Sequence, residues 1–94
     1  MFHIAEDDQG VIQLEGRLDA LAAPLARDFL AGVTETRRLD FSRLDYIASI
    51  GLGVLAATQR RLLDMDCGLV LTGLNPHLLE VFQLAGFQGV FTFE

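Results

Sequence analysis

The sequence predicts one α/β domain: a mixed, mostly parallel sheet of about five strands with helices packed on it. Three observations carry this. From residue 20 onward, short apolar runs alternate with helical patterns, the order expected of parallel strands joined by helical crossovers. The first two apolar runs are separated only by a polar turn, as in a hairpin. The chain has 94 residues and 51% hydrophobic content, which supplies one core and no second one. Residues 1–94 are therefore read as a single domain.

Phe2 to Ala5 is a short apolar run that ends in the acidic cluster Glu6-Asp7-Asp8. Gln9-Gly10 reads as a turn. Val11, Ile12 and Leu14 then give a second strand ending at Gly16, so a hairpin is expected. The acidic cluster reads as a solvated turn rather than a metal site. Asp19 precedes an alanine-rich run in which Leu21, Leu25, Phe29 and Val33 recur every four residues. That spacing predicts an amphipathic helix over 21–33, with Pro24 in its first turn. Asp19 is either a loop acid facing a partner or part of the helix entry, and its position favours the entry.

Residues 37–42 read as a short strand with Asp40 in it or at its end. An acid in a buried strand needs partners. Residues 43–46 read as a connecting turn leading into Ile47. From Leu52 the pattern is helical: Leu52, Leu55, Ala56, Leu62 and Leu63 follow the i, i+3, i+4, i+7 rule, interrupted by Gln59. Arg60 and Arg61 fall on the outer side, where they suit the negative C-terminal end of that helix, and Asp64 closes it. Asp66-Cys67-Gly68 turns the chain. Leu69-Val70-Leu71 is a continuous apolar run, as expected of a strand buried on both faces. Asn75-Pro76 is a helix start, with Asn75 as N-cap. Leu78, Leu79, Phe82 and Ala85 form the expected buried stripe, and Gly86 the stop. Residues 90–93 give the last strand. Partners of such a sheet gather at the carboxyl ends of its strands, which is where this reading puts Asp19, Asp40 and Ser49.

The net charge is −6. That argues against duplex nucleic acid as the main partner and against direct binding to anionic membranes. All seven basic residues are arginine. The absence of lysine excludes a Walker A loop, a Schiff-base enzyme and the receiver-domain site that needs one. Cys67 is the only cysteine, and His3 and His77 match no metal spacing. No apolar run reaches transmembrane length, and the N-terminus has no basic region ahead of an apolar core, so a cytoplasmic location is expected.

Ser49 stands between an apolar run and a helical pattern, with Gly51 and Gly53 just after it. A serine at a strand-to-helix junction has two readings. Its oxygen can cap the first turn. Alternatively, a phosphate on it would lie against free amides at the positive end of the helix. Two enzymatic readings fail here. Gly51 to Ala56 matches G-x-G-x-x-A, but no acid ends the following strand to bind a ribose. A hydrolase elbow, G-x-S-x-G, is absent because residue 47 is Ile. No catalytic residue and no cofactor are assigned.

The segments Gly16–Ala20 (GRLDA), Leu39–Ser42 (LDFS), Tyr46–Leu55 (YIASIGLGVL) and Thr72–Phe91, in this order and spacing, resemble the STAS family of sulfate transporter domains and anti-sigma factor antagonists. The resemblance covers nearly the whole chain. It implies a protein-binding domain, not an enzyme. In the antagonists the loop reads roughly Asp-Ser-Ser/Thr-Gly-Leu, and its first serine is phosphorylated by a partner that is both kinase and anti-sigma factor. By position, Ser49 is that serine, with Gly51 and Leu52 the following pair. Asp19 matches the loop acid beside the site, and Asp40 the acid of the central strand. The resemblance thus implies a partner surface of Asp19, Asp40, Ala48, Ile50, Gly51 and Leu52. Two departures stand out: Ala48 replaces the acid, and Ile50 replaces the second hydroxyl. Other members are unphosphorylated accessory subunits of ABC systems that move lipids, or scaffolds in signalling complexes. The family usually carries a further C-terminal helix after the last strand, so a homodimer or partner contact is expected on the face that helix would cover.

Overall fold

The computed structural model describes residues 1–94. Its elements are β1 (Phe2–Glu6), β2 (Ile12–Leu18), α1 (Ala23–Leu30), β3 (Arg37–Ile47), α2 (Ser49–Leu63), β4 (Leu69–Thr72), α3 (Pro76–Leu84) and β5 (Thr92–Phe93). The five strands form one sheet in sequence order; β1 runs antiparallel to β2, and every other pair is parallel. The order of elements and the mixed sheet are as predicted.

The β1–β2 turn is held by Asp7. Its Oδ1 accepts the N–H groups of Gln9 and Val11 at 2.8 and 3.0 Å, and its Oδ2 accepts the Gln13 amide at 3.1 Å. β2 does not end at Gly16. That residue has φ 90°, and the next N–H, of Arg17, reaches the Met1 carbonyl at 3.1 Å. A Cβ on Gly16 would lie 1.8 Å from the same oxygen. Glycine therefore lets the strand bend past the N-terminus and continue to Leu18.

α1 is shorter than 21–33 and turned differently. Its entry is an Asp19 turn, in which the Asp19 backbone carbonyl accepts from the Ala22 and Ala23 N–H groups. The buried side is Ala22, Ala23, Ala26 and Leu30, with Val33 beyond the helix. Leu21 and Leu25, expected inside, are 89% and 58% exposed. Small side chains let the helix lie close to its neighbours, and the alanine stripe wins the inward position for that reason.

β3 runs for 11 residues, straight through the expected turn at 43–46. Its register against β2 shifts twice, between Gln13/Glu15 and between Gly16/Arg17, and each shift places an extra residue in β3. The first is braced by Asp40, whose Oδ1 accepts the Ser42 N–H at 2.9 Å. Bulges of this kind bend a strand without ending it.

Leu69 and Leu71 of β4 are buried, while Val70 and Thr72 are half-buried. The expectation of burial on both faces is thus corrected. Ile12, Leu39, Leu71 and Phe93 align across the strands on the core side. Gln13, Glu15, Arg17, Asp40, Arg43, Tyr46 and Thr72 align on the other. That second face is polar, with Arg17 stacked 4.2 Å from the Tyr46 ring centre. A polar face needs no covering layer, so a parallel sheet here has helices on one side only.

α3 starts and stops as predicted, but its buried side is Leu78 and Phe82 alone: Leu79 is half-buried and Ala85, expected inside, is exposed. Asn75 Oδ1 accepts the Leu78 N–H at 2.8 Å. At the other end Gly86 has φ 80°; its N–H bonds the Gln83 carbonyl, and the Phe87 N–H bonds that of Phe82. This paired closure needs a left-handed residue, which glycine supplies. Phe82 then sits among Phe41, Phe87, Phe91 and Phe93 in edge-to-face contacts of 5.8 to 6.4 Å. The final strand is only Thr92–Phe93, because residues 88–90 form a turn.

Candidate functional site

The carboxyl ends of β2 and β3 meet the start of α2. Leu18 and Ile47 are register partners, and the next amide, of Ala48, donates to the Leu18 carbonyl at 2.9 Å. Asp19 and Ser49 each follow directly on one member of that bonded pair. The fold therefore brings these two predicted residues together.

Gly51 makes the approach possible. A Cβ there would fall 2.8 Å from Leu18 Cγ, 3.0 Å from the Leu18 carbonyl oxygen and 3.1 Å from Ile47 Cγ1. Any side chain would push the first turn of α2 off the strand ends. Leu52, one residue on, is buried and anchors that turn in the core.

Ser49 is not the cap of α2. The N-cap is Ala48, in extended conformation, and no side chain caps the helix. Ser49 is the first helical residue; it is exposed, and its hydroxyl forms no hydrogen bond within the protein. The first turn holds no acidic residue, so its free amides and positive end meet no carboxylate of their own helix. The capping reading of Ser49 is thereby removed.

Asp19 does have a structural role. Its Oδ1 accepts the Ala22 N–H at 3.0 Å, so it belongs to the helix entry, as its sequence position favoured. It also borders a shallow pocket with Met1, Phe2, Leu21 and Leu25. Ile50 on α2 is 47% exposed, so the Ser49 end of the molecule carries uncovered apolar side chains on both helices.

Asp40 does not join this group. It pairs with Gln13 and Thr72 in the middle of the sheet, and β3 continues to Ile47 before the Ser49 junction, about 20 Å of strand. Its partner is its own bulge. Gly73, φ 72°, packs over it, and a Cβ there would come within 2.8 Å of Asp40 Oδ1. The expected gathering of Asp19, Asp40 and Ser49 at one end is corrected to Asp19 and Ser49.

Two side chains that sequence reasoning placed on surfaces or treated as interruptions tie the helices down. Gln59 is buried: its Oε1 accepts the Leu69 N–H at 2.7 Å, and its Nε2 donates to the Val90 carbonyl at 2.7 Å. Arg61 donates to the Leu30 and Val33 carbonyls, both at 2.9 Å. It thus serves the C-terminal end of α1 rather than that of its own helix. A lone polar residue in an apolar stripe was the available signal for Gln59; nothing local pointed to Arg61's partner.

Comparison with known proteins places this geometry. The family model described as Mlab, STAS domain matches residues 2–92. The chain is 38% identical over 86 residues to BtrV of Bordetella bronchiseptica, named for anti-sigma factor antagonism, covering 88% of this chain and 70% of that protein. Its fold is similar to that of an anti-sigma factor antagonist from Mycobacterium paratuberculosis, with a TM-score of 0.82 at 22% identity over 99% of this chain and 83% of the other. It is also similar to the Bacillus cell fate determinant SpoIIAA in its phosphorylated form, with a TM-score of 0.71 at 22% identity over 100% and 91%. No helix is long and apolar enough to cross a membrane.

Proposed function

This chain belongs to the STAS domain family, and from that premise we propose that it is an anti-sigma factor antagonist switched at Ser49. In its unmodified form it binds an anti-sigma factor with serine kinase activity through the end of the molecule that carries Ser49, Ile50 and Asp19. Phosphorylation of Ser49 ends that binding. The observation that carries the reading is the state of the Ser49 hydroxyl: exposed, at the start of a helix, and used by nothing in the fold. A phosphate there adds about 1.5 to 2 negative charges. These would lie beside the exposed Ile50, Leu21 and Leu25 that a partner must cover, so the charge opposes the burial that binding requires. Similarity to BtrV and to a relative solved in phosphorylated form supports the same reading. On this reading the protein is a substrate of its partner and not itself an enzyme.

The test is copurification from the native organism, comparing wild type with Ser49→Asp, with the mass of Ser49-containing peptides read in parallel. A kinase-like partner retained by wild type, lost by Ser49→Asp, with phosphate found on Ser49, is the expected result. Equal retention by both forms with Ser49 unmodified overturns the switch.

A second reading is favoured by Ala48 and Ile50, which replace the acid and the second hydroxyl of the antagonist loop. It makes the domain a constitutive subunit docked on a transport ATPase. Recovery of an ATPase held equally by both forms decides for it. A homodimer through the exposed Leu63, Leu84 and Val90 is part of either reading, and sedimentation that shows only monomer at high concentration removes it.

A further inference from the structure

We propose that the partner lays a helix along the groove between α1 and α2, apolar where it passes Ile50 and bearing carboxylates where it meets Arg27 and Arg60. The inference rests on the antagonist reading for who the partner is and adds how it binds.

The groove has a volume of about 460 Å³, with Arg27 and Ala31 on the α1 side and Ile50, Gly53, Val54 and Ala57 among the α2 residues. A second hollow adjoins it, sharing Gly53, Ala57 and Arg61, and is lined by α2 alone, with Ala56, Arg60 and Asp64. From Ile50 to Asp64 a helix rises about 21 Å, which matches four turns of a docked helix. Its open end begins one residue from Ser49.

Charge says what the occupant carries. The chain is acidic, at −6, yet this groove is lined by arginines. The arginines that pair with carboxylates are Arg37, Arg38 and Arg43. Arg27 and Arg60 are exposed and pair with none, while Arg61 is held by the α1 carbonyls. Asp64 closes the same end without pairing to Arg60. Uncompensated guanidinium groups on an otherwise acidic protein call for carboxylates from outside.

Gly53 is the second observation. Glycine inside a helix lowers stability relative to alanine. Gly51 has its reason in the contacts with Leu18 and Ile47. Gly53 has none: an added Cβ would meet nothing within 4 Å. It is exposed and lines the groove, so a body docked there would meet bare backbone at this point. A helix resting on Gly53 and Ala57 approaches α2 closely, as small residues at a contact permit.

The partner obtained by copurification is purified and titrated by calorimetry against wild type, Ser49→Asp, Gly53→Ala, Gly53→Leu, Arg27→Glu/Arg60→Glu and Arg38→Glu, with a thermal melt of each. Gly53→Ala is expected to melt higher than wild type and yet bind several-fold more weakly. Gly53→Leu and the double arginine variant are expected to lose at least tenfold in affinity without melting lower, and Arg38→Glu, away from the groove, to bind as wild type. Groove variants that bind within twofold of wild type while Ser49→Asp does not would overturn the groove and leave the switch standing. If the groove variants weaken and Ser49→Asp does not, the groove stands and the switch reading fails.

Discussion

Gly51 and Gly53 lie two residues apart on one helix and have opposite expected effects. Gly51→Ala drives a methyl into Leu18 and Ile47 at 2.8 to 3.1 Å, so a loss of about 1–3 kcal/mol is expected from overpacking. Gly53→Ala meets open space and should gain about 1 kcal/mol from helix propensity. Chemical denaturation of the pair reads both signs. Gln59 is the other residue whose value is local. Gln59→Leu keeps the volume but leaves the buried Leu69 N–H without a partner, and a loss of about 2 kcal/mol is expected. Asp7 sets a pH dependence. The N–H groups of Val11 and then Gln9 hold its carboxyl below the ordinary value of 3.8. A group depressed in the folded state stabilises above its unfolded pKa, and that contribution is lost as pH falls through the folded one. The stability gap between wild type and Asp7→Asn should therefore be full at neutral pH and shrink below about pH 3.8. A gap that grows on acidification would contradict this.

At the scale of elements, α1 shows how packing overrides a periodic pattern. Leu21, Leu25 and Phe29 make the more apolar stripe, but the alanine stripe faces inward and its small side chains bring the helix close. The helix is then fastened at both ends by other parts of the chain, Asp19 at the start and Arg61 at the finish. Arg61→Met keeps an unbranched apolar stem but removes the guanidinium and its two donors to the Leu30 and Val33 carbonyls. About 2 kcal/mol should be lost, and hydrogen exchange should rise first at the C-terminal end of α1. Faster exchange confined to α2 would show that Arg61 serves its own helix instead.

Seen whole, the molecule divides its surface by function. The uncovered sheet face carries opposite charges side by side, as in the Arg43–Glu15 pair at 3.7 Å, and is mostly polar. Apolar exposure lies on the helix side, at Leu21, Leu25 and Ile50 and, separately, at Leu63, Leu84 and Val90. Arg43→Ala should therefore change stability by less than about 0.5 kcal/mol and leave partner affinity unchanged, measured in the same titrations. A loss of binding would move the interface to the sheet.

The sequence alone determined the order of elements, the hairpin, both ends of α3 and the prominence of Ser49. These features depend on near neighbours: a turn, a cap, a left-handed glycine, an apolar period. The fold supports this reading in detail at Asn75 and Gly86, where one residue's chemistry sets one hydrogen-bonding pattern. Tertiary structure decided what depends on distant partners. It set which stripe of α1 is buried and carried β3 through a polar stretch on two bulges. It left one face of the sheet open and separated Asp40 from Ser49. It also decided that Ser49 caps nothing. Burial and hydrogen bonding at these positions are set by groups far away in the chain, such as Leu18 for Gly51 and Leu30 for Arg61, and no local pattern encodes such pairs.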